Sequence, residues 1–238
     1  MATRSALWQS LAVLTAANVL NNRLAPRLYV PTSVAASAAL VAIARRDGCT
    51  WEDLGLGAAN ARRGLAVGGA LFGLVGAAYA AGAALPATRR FFRDERAAKL
   101  TPRALLTEAL VNVPFGTVLL EETAFRGVLY GMLRRTHGHT AASAASSALF
   151  GLWHVLPAQG LVEQNPAYSE MVGGLDRAKV VTGSVALTAL AGAFFCELRS
   201  RTGSLLTPAA LHLATNTLGY AFAWTLNRPP APSRKPLP

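Results

Sequence analysis

LAVGGALFGLVGAAYAAGAAL, residues 65–85, carries no charged side chain. A helix that crosses the hydrocarbon core needs about 20 mostly apolar residues, so this stretch predicts a transmembrane helix. Within it Gly69 and Gly73 form a G-x-x-x-G pair, followed by Gly76 and Ala80. That spacing lets helices approach closely in lipid, unless it reflects only the abundance of alanine and glycine. On its N-terminal side, Leu28–Ala44 is a second candidate span and Leu7–Leu20, with Arg4 ahead of it, a third. The third could pass for a signal peptide, but interruptions at Gln9, Asn18 and Asn21 favour an uncleaved helix. The connector Trp51–Leu56 is expected at the membrane surface, and a basic connector, Arg89–Arg103, follows residues 65–85.

Towards the C-terminus, Thr101-Pro102 reads as an N-cap followed by proline at the first helical position. A continuous helix from Pro102 to Leu133 would run about 48 Å, longer than a bilayer core, and Pro114 with Gly116 marks the expected kink or break. Further helices are expected at Ala141–Leu156, Val180–Leu198 and Pro208–Leu226, the last again opened by Thr-Pro. The basic, proline-rich tail Arg228–Pro238 is expected to be disordered. The fold class is therefore all-α, a polytopic transmembrane bundle of about seven helices by span length.

Composition agrees. Hydrophobic residues make up 52% of the chain and charged residues 15%, against about 25% charged in soluble domains; mean hydropathy is +0.32. The net charge of +11 comes from arginines clustered between apolar runs, such as Arg45/Arg46, Arg62/Arg63 and Arg134/Arg135. That placement suits loops against a bilayer with anionic lipids, and with no aromatic-basic platform it excludes nucleic acid as a partner. Cys49 and Cys196 show neither metal-type spacing nor a disulfide framework. The long connector Ala158–Asp176, poorest in basic residues, is expected on the outer face.

A charge at the centre of a membrane helix costs about 2.5–3.5 kcal/mol on insertion scales, so polar groups inside apolar helices ask for a reason. They collect in three places. In Glu121-Glu122-Thr-Ala-Phe-Arg126, Glu122 and Arg126 lie four apart and can pair on one helix face. Glu121 then points about 100° away, free for chemistry, and a carboxylate taken out of water suits a general acid or base. In Phe150-Gly-Leu-Trp-His154, a single histidine sits in an apolar helix. Further on, His212 and Asn216 again share a face, where Asn216 could hold the imidazole or donate to an oxyanion.

The order E-E-x-x-x-R, F-x-x-x-H, H-x-x-x-N resembles the CPBP family, which comprises CAAX prenyl endopeptidases and bacteriocin-processing or immunity proteins. Leu149–His154 and Arg201–Leu205 also look like that family. The resemblance covers about residues 100–220 and implies an intramembrane endopeptidase acting on a peptide or protein substrate in or at the membrane. Carried over, Glu121 would activate water, His154, His212 and Asn216 would complete the catalytic site, and Glu122, Arg126 and Phe150 would support it. It divides the chain into N-terminal helices and connectors (1–100), a catalytic core (101–226) whose four C-terminal helices enclose the site, and the tail (227–238). The expected location is the cell membrane, multi-pass, and by family resemblance the bacterial plasma membrane.

Two chemistries fit. Glu121 could deprotonate water directly, or Glu121, His154 and His212 could hold a divalent metal, zinc by ligand type. The H-E-x-x-H arrangement that fixes two ligands on one helix is absent. Straight threading would separate the two imidazoles by roughly 14 Å along the membrane normal. Thr202–Pro208 is therefore expected to form a break inside the membrane boundary, lined by protein. The alternative is a non-catalytic membrane scaffold or immunity-like protein of the same fold. A transporter should show an inverted repeat, and none is found.

Overall fold

The computed structural model describes residues 4–92, 94–159 and 176–227. The interior of the Ala158–Asp176 connector and the tail lie outside the described residues, so their expected location and disorder are not addressed. All regular structure among the described residues is helical. The main elements are α1 (Arg4–Val19), α2 (Tyr29–Arg46), α3 (Ala61–Ala84), α4 (residues 102–137), α5 (139–153), α6 (Arg177–Thr202) and α7 (206–227). Four helical stretches, Pro26–Arg46, Ala58–Ala84, Pro102–Gln159 and Arg177–Thr202, are long and apolar enough to cross a membrane.

Polarity is inverted relative to a water-soluble domain. Leu74 and Leu190 are 65% and 71% exposed, whereas Glu122 and Arg126 are 2% and 0% exposed. Apolar faces turned outward suit lipid, and polar groups turned inward find partners there. Two of the three polar interruptions of the first helical stretch follow the same rule, whereas Gln9 stays exposed and bonds Ser5. Asn18 donates to the Trp153 carbonyl at 3.1 Å, and Asn21 donates to Ser33 Oγ at 3.0 Å.

Helix α4 begins as its sequence reads: Thr101 Oγ1 accepts from the Ala104 amide at 3.2 Å, with Pro102 at the first position. It does not end at Pro114. Between Glu108 and Val118 the backbone turns widen to i→i+5 bonding, which absorbs the amide that proline lacks. The break comes instead at Gly138, whose φ of 76° and ψ of 179° lie in a region nearly reserved for glycine. There α4 gives way to α5, and α6 packs along both.

Two local expectations need correction. Gly69 and Gly73 contact nothing within 4 Å of a built Cβ. The close approach of α3 to α7 and the turn before it uses Gly64 and Gly68, where an added Cβ would collide with Ser204 Oγ and meet Ala210 Cβ at 2.8 Å. Nor does Thr207 cap the last helix. α7 starts at Leu206, Ser204 Oγ accepts from the Leu206 amide at 3.3 Å, and Thr207 donates across to the Gly64 carbonyl. The segment between α6 and α7 is buried in protein at Ser204, Leu205 and Thr207. Gly203, at φ 70°, closes α6, and the Leu205 amide donates to the Gly55 carbonyl at 2.8 Å.

Candidate active site

The three polar clusters separated in sequence meet where α4, α5, α6 and α7 come together. On α4 a second run of widened turns, Glu122–Leu129, carries the supporting pair. Consecutive side chains sit closer in angle on such turns than on a regular helix, so Glu121 and Glu122 both reach His212 on α7. Glu122 Oε1 accepts from Arg126 Nη1 at 3.2 Å and from His212 Nδ1 at 2.8 Å. The expected Glu122–Arg126 pair is therefore present, and the imidazole shares the same oxygen.

Glu121 is 6% exposed and is not left without a partner. Its Oε1 accepts from the Trp153 indole N–H at 3.0 Å. Its Oε2 is buried, makes no hydrogen bond, and faces His212 Nε2 at 3.8 Å. Because a carboxylate can only accept, His212 Nδ1 carries the proton towards Glu122, and in the neutral ring Nε2 presents a lone pair to Glu121. Two acceptors thus look at one another across a gap wider than a hydrogen bond.

His154 follows the last turn of α5, and its Nδ1 bonds the Phe150 carbonyl at 2.8 Å. A carbonyl accepts, so Nδ1 is the protonated nitrogen and Nε2 is again the open acceptor. Phe150 links the two histidines: its ring lies edge-on to His154 at 4.6 Å and to His212 at 6.4 Å. The protein-lined turn between α6 and α7 thus goes with both imidazoles packing on one ring. Asn216 does not touch the imidazole. Its Nδ2 donates to the His212 carbonyl at 3.0 Å, which leaves its second amide proton for another acceptor.

Three residues escaped the sequence reading. Trp153 could have been found, because an indole N–H inside an apolar helix needs an acceptor. Phe195 on α6 had no such signal: it is an apolar residue among apolar neighbours, yet the Arg126 guanidinium lies over its ring at 4.8 Å as well as over Phe150 at 3.9 Å. Tyr29 on α2 bonds Thr117 Oγ1 at 2.8 Å, one turn before Glu121, and its ring fills the space above Gly116.

Among the described residues no three His, Cys, Asp or Glu side chains come together in a way that could hold an ion. His212 and Glu122 are engaged with one another, and His154 packs on the Phe150 ring.

Residues 103–218 match the family model of type II CAAX prenyl endopeptidase Rce1-like proteins. The match takes in Glu121, Glu122, Arg126, Trp153, His154, His212 and Asn216. No curated protein and no solved structure matches the chain.

Proposed function

We propose that this chain, which belongs to the CPBP family of CAAX-protease-like membrane proteins, is an intramembrane endopeptidase whose attacking water is activated by Glu121. The observation that carries the reading is the buried, unbonded Glu121 Oε2 facing His212 Nε2 at 3.8 Å. Both atoms accept and neither donates, so a water placed against them would give one proton to each and aim its lone pair outward.

In this mechanism the water oxygen bonds to the scissile carbonyl carbon as its proton passes to Glu121. The protonated carboxyl then delivers that proton to the leaving amine as the C–N bond breaks. Glu122, holding His212 Nδ1, fixes which nitrogen faces the water, the part an orienting carboxylate plays for a catalytic imidazole. The second amide proton of Asn216 is the donor for the developing oxyanion, and His154 Nε2 offers an acceptor for a hydrogen bond from a substrate N–H. Trp153 holds Glu121 in its rotamer. The substrate is a peptide segment in or at the membrane, and the cell membrane is the site of action.

The test is cleavage of a peptide library, including prenylated and unmodified C-terminal peptides, by the purified full chain in liposomes. Glu121→Gln is expected to lower turnover by on the order of 10³-fold or more, as the loss of a group acting in the transition state does, with unfolding behaviour retained. Full activity in that variant would overturn the mechanism. A folded wild type that cleaves nothing would favour the scaffold alternative.

A further inference from the structure

A second polar cavity lies well away from Glu121, at the end of the bundle where α2 ends, α3 begins and α4 and α6 finish. It has a volume of about 460 Å³, and its wall includes Glu52, Asp53, Arg134, Arg135 and Arg199. That size suits a small ligand or a lipid headgroup. The 47–57 connector, which contains Trp51–Leu56, is docked here. Leu54 is fully buried, and the Asp53 backbone sits so close to Gly131 that a Cβ there would meet its carbonyl oxygen at 2.6 Å.

The charges around the cavity do not cancel. Asp53 lies 3.8 Å from Arg135 and also accepts from the Thr50 amide at 2.8 Å, so one carboxylate and one guanidinium satisfy each other. Glu52 folds back over Gly57, where its Oε1 lies 2.8 Å from a built Cβ. Arg199 is 1% exposed and donates only to backbone carbonyls, those of Glu52 at 2.9 Å and Asp53 at 3.0 Å. Among the described residues neither Arg199 nor Arg134 makes an ion pair, and Arg134 stands near enough to Arg199 for the two charges to repel. Burying a guanidinium beside a second cation is costly, the Asp53 carboxylate that also attracts Arg199 is already shared with Arg135, and a forked guanidinium is built to grip a phosphate. Asn60 and Ser200 add neutral polar groups to the wall.

We infer that this cavity binds one phosphate group, carried either by a membrane lipid headgroup or by a free phosphate species, with Arg134 and Arg199 as its cationic contacts. The neighbouring arginines Arg45, Arg46, Arg62 and Arg63 flank the same loop, at the level where headgroups meet a spanning bundle. The site is independent of the peptidase reading.

The experiment compares wild type, Arg134→Gln, Arg199→Gln and Arg63→Gln as full chains in neutral detergent. Thermal unfolding is followed while inorganic phosphate is titrated against chloride of equal ionic strength. In parallel, micelles are doped with phosphatidylglycerol or with phosphatidylcholine. Arg134 is exposed, so its variant should fold even where Arg199→Gln does not. Arg63→Gln removes a charge at the same end of the bundle from outside the cavity. A rise in unfolding temperature with inorganic phosphate that weakens about ten-fold in apparent affinity in Arg134→Gln, but not in Arg63→Gln, establishes the site with free phosphate as occupant; one charge-assisted bond is worth about that factor. The same pattern with phosphatidylglycerol alone assigns it to a headgroup. Equal responses in wild type and Arg134→Gln, or no response to either probe, overturn the inference and leave Arg199 as a structural tie for the connector.

Discussion

Arg126 sits fully buried with Nε and Nη2 unbonded. Glu122 supplies its charge partner, and Phe150 and Phe195 cover its faces at 3.9 and 4.8 Å. Such a stack is favourable for a guanidinium, and more so when water is excluded. Removing one member of a buried pair strands the other, at about 3–5 kcal/mol. Glu122→Gln and Arg126→Met should therefore each destabilise the protein by about that amount, while the double variant recovers a large part of the loss because no uncompensated charge remains. Denaturant unfolding of the four proteins measures the coupling, and strictly additive losses would show that the pair is not what holds this corner together. Activity should not recover in the double variant, since His212 would no longer face a carboxylate at Nδ1.

At the scale of elements, the glycines of α3 separate sequence pattern from packing. Gly68→Leu is expected to disrupt the contact with α7, because a Cβ alone already meets Ala210 at 2.8 Å and the Leu206 carbonyl at 3.2 Å. Gly73→Leu meets nothing and should be tolerated. Thermal unfolding of the two variants decides, and comparable stability would mean the helices are not packed this way. The example shows what could be read in advance. Signals confined to one turn were legible: Thr101 as N-cap, the i,i+4 pairing of Glu122 with Arg126, and the glycine spacing itself. What depends on how one helix is rotated against another was not, because helices with apolar faces towards lipid as well as protein give little amphipathic signal of which face is inward. That is why Gly69 and Gly73 stood out when Gly64 and Gly68 pack. It is also why Asn216 was credited with a contact to the imidazole that Glu122 makes. The widened turns of α4 were invisible for a related reason. They shift the angular spacing that the 100° reading assumed: Glu122 takes Arg126 as that reading has it, and Glu121 meets Trp153 and His212 instead.

For the whole molecule, the question is how chemistry can be assembled from helices that each contribute one or two polar groups. Glu121 comes from α4, His154 from the end of α5 and His212 from α7, and Phe150 is the ring against which both histidines pack. A catalytic zinc site takes three protein ligands and leaves the fourth tetrahedral position open. Here the bundle brings its polar groups together as bonded pairs, Glu121 with Trp153, Glu122 with Arg126 and His212, and His154 with its own backbone. Each pair fixes an orientation, which a water-activating carboxylate needs, but the donors do not converge on one point. Hydrolysis by the purified chain is therefore expected to persist after exhaustive dialysis against a chelator and to show no gain on adding zinc. Trp153→Phe should lower turnover by about ten-fold or more, through loss of a hydrogen bond to a charged group. If chelation abolished cleavage and zinc restored it, the helices would have to rearrange on metal binding, drawing His154 and Glu121 together. Measuring whether zinc also raises the unfolding temperature of the uncleaving Glu121→Gln variant would then separate a bound metal from a metal required only for catalysis.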